Sequence, residues 1–319
     1  MPDIDIEAES ESTASREFEL AYGAAPERLD KVLARLIPEH SRSRLQAWIE
    51  EGHVLVNDKP ARVRQPVQGG DKLTVFEQQA PDAMAFVGEP VEFQVVAESD
   101  DWIVVNKPAG LVTHPGAGNW SGTLLNGLLF RYPELRQVAR AGIVHRLDKD
   151  TSGLLVIARN EVAQTHLVRQ LQARTVSREY LALVHGQLHD SGTVDRPIGR
   201  DSRVPVRMAV EHPIAPKPAI THYQPQRQGQ LPPNAFVTEV VCRLETGRTH
   251  QIRVHMASLR HPLVGDVLYG GKRIASIGRQ LLHARALAFD DAASGQRLAF
   301  HADLPEDFSA ALEAVQWNA

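Results

Sequence analysis

A charged segment between two short apolar segments constrains the fold of this chain more than any other feature. Residues 142–153 read Gly-Ile-Val-His-Arg-Leu-Asp-Lys-Asp-Thr-Ser-Gly, and four apolar residues follow at 154–157. A strand-like segment that breaks into a charged loop and then resumes is typical of a site held on a rigid sheet. Asp148 is the candidate reactive group, because Arg146 and Lys149 flank it and positive charge favours a carboxylate able to act as nucleophile or base. The alternative is a surface turn with solvated charges.

A second polar segment, at residues 245–256, follows a β-branched stretch at 237–244 that predicts a strand. Residues 249–259 fit a helix with Ile252 and Met256 on one apolar face. Arg253 then lies on a different face near the helix start, where it can form a charge-assisted pair with a loop carboxylate. A solvated arginine on an amphipathic helix is the alternative. Between the two segments, residues 178–186 predict a strand whose Tyr180 either packs in the core or stacks on a planar ligand.

These motifs, taken together and in order, resemble the RluA family of pseudouridine synthases, which modify large-subunit ribosomal RNA and some tRNAs. The matching segments lie between about residues 90 and 305, at residues 105–116, 145–153, 179–186, 246–255 and 261–270. Residues 115–118, 140–143 and 208–212 most resemble the members that modify the helix 69 stem-loop of 23S rRNA. The resemblance implies the pseudouridine synthase fold and an isomerase activity on RNA.

The resemblance also implies roles for individual residues. Asp148 would be the catalytic nucleophile, Tyr180 would stack on the target base and help to move its proton, and Arg253 would pair with Asp148. Arg146 would fill the space that a flipped-out uridine leaves, at a cost of a few kcal/mol for unstacking the base. Either Leu281 or Leu282 would form an apolar wall of the pocket; the sequence does not choose between them.

The reaction breaks the bond between C1′ and N1 of uridine, rotates the base and joins C1′ to C5. It includes no redox step and no phosphate transfer, so we expect no cofactor and no metal. Asp148 and Asp150 also resemble the Asp-x-Asp loop of aspartyl-phosphate phosphotransferases, but two polar residues, His145 and Arg146, separate Asp148 from the preceding apolar segment. That alternative requires magnesium. His250 and His255 are five residues apart, which does not put two metal ligands on one helix face.

The first part of the chain independently favours an RNA partner. Residues 27–36 predict an amphipathic helix, Ser41 can cap a second helix that Gly52 ends, and a strand at 54–56 precedes a turn at 57–58. This pattern resembles the S4 RNA-binding module. Its basic positions can line a phosphate-binding face; they are Arg28, Lys31, Arg35, Arg42 and Arg44. The alternative is a set of solvated helix faces, since residues 26–76 carry a net charge of only +2.

The charge of the chain is unevenly distributed. The total is −4, but the first 19 residues contribute −6 and the rest contributes +2. We expect an acidic disordered tail at 1–17, an S4-like RNA-binding domain at 18–76, a linker at 77–90 and a catalytic domain at 91–319. The tail has no apolar core of a signal peptide, and no stretch is long enough to span a membrane. The single cysteine, Cys242, excludes an internal disulfide and favours a buried position in a cytoplasmic protein.

Strands and helices mix without regular βαβ repetition, which predicts an α+β fold with a mixed, largely antiparallel sheet. Residues 200–218 and 224–234 predict long loops. The favoured function is a pseudouridine synthase, expected to be monomeric, that acts on 23S rRNA or on the large subunit and its precursors. The alternatives are a synthase acting on other rRNA sites or tRNA, and an RNA-binding or ribosome-assembly factor without catalysis.

Overall fold

The computed structural model describes residues 15–77, 83–116, 118–204, 206–274 and 277–318. The chain divides into two compact units, Met1–Ala80 and Pro81–Ala319, and each has its own hydrophobic core. Within the described residues, no helix is long and apolar enough to cross a membrane.

The described part of the first unit contains two helices and six short strands. The helices are α1 Leu29–Leu36 and α2 Arg42–Glu50. The strands are β1 Ser15–Glu19, β2 Glu27–Arg28, β3 Val54–Val56, β4 Lys59–Pro60, β5 Pro66–Val67 and β6 Lys72–Phe76. An antiparallel sheet has the order β1-β6-β3-β4, and β2 pairs with β5 separately.

The apolar spacing of the sequence accounts for the packing of the first unit. Helix α1 buries Leu29, Val32 and Leu33 on one side, and these side chains pack with those of α2 and the sheet. The Ser41 hydroxyl accepts a hydrogen bond from the backbone N–H of Arg44 and caps α2, as the sequence predicts. Helix α1 begins two residues later than predicted, because residues 27 and 28 instead pair with β5.

Strand β1 corrects the boundary predicted for the acidic tail. Residues 15–17, assigned to a disordered tail from the sequence, lie in β1 and pair with β6 from Ser15↔Phe76 onward. Phe18 packs against the core of the first unit and holds this strand in place. Its neighbours are charged, so the sequence shows little apolar pattern there. The remainder of the predicted tail, residues 1–14, lies outside the described residues.

The second unit is built on a ten-stranded sheet. Its strands, together with those of a small separate sheet, are β7 Gln94–Glu98, β8 Trp102–Lys107, β9 Ser152–Ala158, β10 Ser177–His185, β11 Gly192–Asp195, β12 Ile198–Arg200, β13 Met208–Ala209, β14 Ile214–Lys217, β15 Ile220–Leu231, β16 Ala235–Leu244, β17 Leu282–Asp290, β18 Arg297–His301 and β19 Gln316–Trp317. Its helices are α3 Leu124–Arg131, α4 Glu161–Gln172, α5 Gln251–Ser258 and α6 Glu306–Glu313, with 3-10 turns at Ala83–Phe86, Pro133–Gln137, Ala139–Gly142 and Val267–Tyr269.

The large sheet has the order β11-β15-β16-β10-β17-β9-β8-β7, with β18 paired to β17 and β19 paired to β15. All of these pairs are antiparallel except β9 with β17, which run parallel through Ser152 and Gly153. The prediction of an α+β fold with a mixed, largely antiparallel sheet is therefore confirmed. The parallel pair lies at the point where β9 leaves the charged loop.

Side chains that alternate along each strand divide the core into layers on the two faces of the sheet. On β10, Tyr180 and Ala182 face the layer that contains α3 and α5, whereas Leu181 and Leu183 face the layer that contains α6. Helix α4 packs on a further cluster with alternate residues of β8 and β9. Cys242 is buried in the first layer, as expected, and burial raises the pKa of its thiol to about 12.

The prediction of a long loop is wrong for residues 224–231, which belong to the long strand β15, and it holds only in part for residues 200–218. That segment contains β13, β14 and the last residue of β12, and these strands form a small sheet in the order β13-β12-β14. The β15 segment is rich in glutamine and has no apolar alternation, which is why its sequence suggested a loop. Strand β15 forms because β16 pairs along its length, and its polar side chains remain largely exposed.

Candidate active site

The charged loop at residues 143–151 lies between the 3-10 turn Ala139–Gly142 and β9. Gly142 fixes the point where the loop begins: its φ is +75°, and a Cβ atom there would lie 1.8 Å from the carbonyl oxygen of Ala158. Only glycine permits this approach of the backbone to β9. His145 then accepts a hydrogen bond at Nε2 from the backbone N–H of Val156, 3.2 Å away. The loop therefore starts in contact with the sheet.

The last residue of β8 and the segment that follows it hold the other half of the loop. Lys107 is fully buried, and its ammonium donates to the carbonyl oxygens of Pro108, Leu111 and Lys149 at 2.8–3.0 Å. Thr113 Oγ1 donates to the Leu147 carbonyl at 2.8 Å. These bonds hold the backbone on both sides of Asp148, so the carboxylate projects from a fixed loop.

Arg253 joins two carboxylates. Its Nη1 lies 3.0 Å from Asp148 Oδ2, while Nε and Nη2 donate to the two oxygens of Asp266 at 2.7 and 2.9 Å. The side chains of Arg253 and Asp266 are 8% and 1% exposed, against 15% for Asp148. Asp266 thus holds the guanidinium in a forked, buried pair and presents its remaining edge to Asp148.

The start of α5 places Arg253 in this position. The first helical residue, Gln251, accepts hydrogen bonds at Oε1 from the Arg248 backbone and from Thr246 Oγ1, and it donates to the Ile220 carbonyl on β15. These contacts fasten the loop and the helix start to the large sheet. Arg253 follows two residues later and is directed toward Asp148.

A cleft of about 880 Å³ contains the candidate residues. Asp148, Tyr180, Arg253 and Arg146 all line it, and Arg146 is exposed. The structure also distinguishes the two leucines that the sequence left open. Leu282 lines the cleft, whereas Leu281 packs with Phe308 in the layer on the other face of the sheet.

Burial and charge perturb several groups in the cleft. Burial raises the pKa of Tyr180 to about 12, with a further contribution from the charge of Asp148. Burial opposes the charge of Arg253, but the hydrogen bond to Asp266 and the charge of Asp148 raise its pKa overall. Burial lowers the pKa of His250, whose Nδ1 lies 2.7 Å from the Tyr269 hydroxyl. The phenol at 180 therefore keeps its proton near neutral pH, and Arg253 keeps its charge.

Two residues that support the cleft residues received no role from the sequence. Lys107 and Asp266 lie in the matching segments at 105–116 and 261–270, but neither was assigned a function there. Both are buried charged residues, which are rare unless paired. The sequence did indicate that each charged residue lies beside an apolar segment, where burial is expected. It did not indicate which residues would be their partners. Among the described residues, no group of three or more His, Cys, Asp or Glu side chains could hold a metal ion.

In the first unit, several of the predicted RNA-binding residues are tied to acidic partners. Arg28 and Arg42 both donate to buried Asp30. Burial opposes the charge of the Asp30 carboxylate, but these hydrogen bonds hold its pKa well below its usual range. Arg35 pairs with Glu27 at 2.9 Å, and the Arg44 guanidinium lies over the Trp48 ring. Lys31 is exposed on α1. The five basic residues therefore differ in their contacts: three pair with acidic side chains, one lies over an aromatic ring, and Lys31 is exposed.

A fixed loop carboxylate, an arginine that pairs with it and a buried tyrosine lie on one face of a mixed sheet. Two family models match this chain and give its class as an RNA-modifying enzyme. The RNA pseudouridylate synthase family model matches residues 101–258, and the S4 domain model matches residues 27–73.

Curated relatives match along almost the whole chain. Ribosomal large subunit pseudouridine synthase D of Neisseria meningitidis serogroup B is 48% identical over 315 residues, which cover 95% of this chain and 81% of the relative. The protein of the same name from Nitrosomonas europaea is 46% identical over 99% of this chain and 92% of its own length. The solved structure of human RNA pseudouridylate synthase domain containing 1 is 29% identical, has a TM-score of 0.56, and covers 72% of this chain and 91% of the human chain. The chain belongs to the RluA family of RNA pseudouridine synthases, which are isomerases, and carries an S4 domain in its first unit.

Proposed function

We propose that this enzyme converts uridines of large-subunit ribosomal RNA to pseudouridine, with the helix 69 stem-loop of 23S rRNA as its target. The observation that carries the proposal is the Asp148–Arg253 pair in a cleft that also contains Tyr180. The names of the relatives support large-subunit rRNA as the substrate class. The resemblance of residues 115–118, 140–143 and 208–212 supports the choice of helix 69.

Asp148 acts as the nucleophile in this proposal. Arg253 contacts Oδ2, so Oδ1 can attack C1′ of the ribose while the bond from C1′ to N1 breaks and the base leaves with the electron pair. The base rotates within the cleft, and C5 attacks C1′ and releases the carboxylate. C5 then loses its proton to the surroundings and N1, which no longer bonds to C1′, takes up one proton from them, so atoms and charge balance and the product is an isomer of uridine.

The uridine must leave its helical stack before Asp148 can reach C1′, at a cost of a few kcal/mol. We propose that exposed Arg146 occupies the space left in the RNA, and that the base stacks on Tyr180 and packs against Leu282. The Tyr180 phenol remains protonated at neutral pH, since burial raises its pKa to about 12. It can therefore donate a hydrogen bond to the rotating base and take part in proton movement as that bond changes.

The decisive experiment measures tritium release from C5-tritiated, unmodified 23S rRNA, with mapping of the product. We expect release by the native enzyme, with pseudouridine at helix 69. Asp148→Asn should abolish release and retain most of the RNA affinity. Asp150→Asn is the matched control, because it removes the same charge two residues away while only the backbone carbonyl of Asp150 contacts Arg279.

The alternatives give different results in this experiment. Pseudouridine at other rRNA positions or only in tRNA would overturn the target and retain the chemistry. RNA binding without turnover, on free RNA and on assembled subunits, would favour the assembly-factor alternative. If Asp148→Asn also lost RNA binding, the carboxylate would be structural and the nucleophile assignment would be wrong.

We further propose that the S4 unit contributes contacts to RNA phosphates and that the enzyme works as a monomer in the cytoplasm, where ribosomal RNA is available in bacteria. The exposed Lys31 and the partly exposed Arg28 and Arg42 are its candidate contacts. Light scattering of the enzyme, alone and with one equivalent of RNA, tests the stoichiometry. A 2:1 complex of protein to RNA would contradict the monomer.

A further inference from the structure

Arg178 is a buried cation that the proposed chemistry does not use. It lies on β10, two residues before Tyr180, and both side chains line the same cleft. It is 7% exposed, and no carboxylate of the described residues lies within ion-pair distance. Its Nη2 donates to the backbone carbonyl of Glu245 at 3.2 Å, but its Nε is buried without a hydrogen-bond partner among the described residues.

Two further arginines, Arg174 and Arg248, line the cleft that contains Arg178. Glu245 accepts from Arg178 through its backbone carbonyl, and its carboxylate already pairs with Arg174 and His222. Gly247 leaves room for the guanidinium, since a Cβ atom at that position would lie 2.6 Å from Arg178 Nη1. Within the part of the chain that the structure describes, the Arg178 guanidinium therefore has space but no carboxylate partner.

Burying an arginine without a counter-charge is unfavourable, because the lost hydration is not replaced. Burial lowers the pKa of Arg178, although the nearby Tyr180 opposes this effect. A ligand that supplies both a hydrogen-bond acceptor and a negative charge removes the penalty. A phosphate supplies both and matches the forked geometry of a guanidinium, whereas the carbonyl groups of uracil supply only the acceptor.

We propose that Arg178 binds a backbone phosphate of the RNA held in the cleft and so fixes the position of the ribose relative to Asp148. This inference rests on the proposed function, because it requires RNA in the same cleft. Arg178 is a positioning residue: it contacts the RNA backbone, while Asp148 and Tyr180 contact the ribose and the base.

The first test measures binding of unmodified helix 69 stem-loop RNA to the full chain carrying Asp148→Asn, over a range of salt concentrations. Adding Arg178→Gln should weaken binding by about 10- to 100-fold, as expected for loss of a charged hydrogen bond. It should also reduce the slope of log affinity against log salt by about 0.7–0.9, the value for one phosphate contact. Arg297→Gln is the matched control, since it removes an exposed arginine that does not line the cleft, and it should leave both quantities unchanged.

The second test changes the RNA and compares modified with unmodified RNA on the same protein, so a folding defect of the variant affects both measurements equally. Neutral methylphosphonate linkages are introduced one at a time near the target uridine. At one linkage, the neutral group should weaken binding of the protein with Arg178 and have no effect with Arg178→Gln. The inference would be overturned if Arg178→Gln weakened binding, left the salt slope unchanged, and no linkage distinguished the two proteins. That result would indicate a structural role of Arg178 or a contact to the base.

The two proposals fail in distinguishable ways. Tritium release by the native enzyme with an unchanged salt slope in Arg178→Gln would refute the phosphate contact alone. Absence of release from every rRNA substrate would refute the proposed function, and the salt slopes with the same RNA would still show whether Arg178 contacts a phosphate. Arg178→Lys should retain the salt slope and lose part of the affinity, because a point charge remains without the fork.

Discussion

Asp266 provides the sharpest test of how the active site is held together. Asp266→Asn removes a buried negative charge and leaves one oxygen to accept from Arg253 where there were two, at 2.7 and 2.9 Å. The amide NH₂ group then faces a guanidinium N–H. Loss of a charge-assisted hydrogen bond costs about 1.5–3 kcal/mol, and breaking a buried ion pair costs about 3–5 kcal/mol. Because one hydrogen bond remains, we expect a loss of about 3 kcal/mol and a Tm lower by about 6–12 °C.

The same substitution should reduce turnover more than affinity. Arg253 would no longer be fixed by two bonds, and a displacement of about 1 Å at a catalytic group can cost about 100-fold in rate. Single-turnover tritium release at saturating enzyme measures the rate, and RNA titration measures the affinity. Asp290→Asn is the matched control: it removes a carboxylate from an exposed pair with Arg297 and should cost at most about 1 kcal/mol. A folded Asp266→Asn enzyme with the native single-turnover rate would refute the argument.

Three further predictions concern the cleft and its supporting strand. Leu282→Ala should lower kcat/KM because it removes a wall of the cleft. Leu281→Ala should mainly lower the free energy of unfolding, by about 2–5 kcal/mol, because that side chain packs in the opposite layer. Equal behaviour of the two variants in parallel denaturation and activity measurements would contradict this prediction. Tyr180→Phe should retain RNA affinity within a fewfold and lower the rate by about 100-fold or more if the hydroxyl moves a proton, and an unchanged rate would limit Tyr180 to stacking. Burial lowers the pKa of His283 to about 4 from 6.5, so the imidazole takes up a proton in the unfolded chain before it does so in the folded protein. The free energy of unfolding should therefore fall by about 3 kcal/mol as the pH decreases from 6.5 to 4. Urea unfolding should show a smaller decrease for His283→Gln, and an equal decrease would show that His283 is not the cause.

The sequence predicts elements well where apolar spacing determines them. The strand expected at 237–244 is observed as β16, and the Ser41 cap begins α2. The prediction failed where pairing determines the structure. Strand β15 has a polar, glutamine-rich sequence, and it is held by backbone hydrogen bonds to β16 and short pairings with β11 and β19. No local pattern of side chains could indicate that ladder.

In the candidate site too, the residues that follow from local sequence patterns could be predicted, and those that depend on long-range strand pairing could not. Asp148 could be selected because it lies in a charged segment between two apolar segments, and Arg253 because it lies away from the apolar face of a predicted helix. The choice between Leu281 and Leu282 required the register of β17. In that register Leu282 lies opposite Ala182, on the face that carries Tyr180, and a shift of one residue would exchange the two leucines. Candidate reactive residues can thus be selected from the sequence by residue type. Residues that line the cleft because of the face on which a strand places them can be identified only from the strand pairing in the sheet. Asp266 belongs to the second kind, because its acidic side chain indicates a partner of positive charge but only the packing of α5 against the sheet identifies that partner as Arg253.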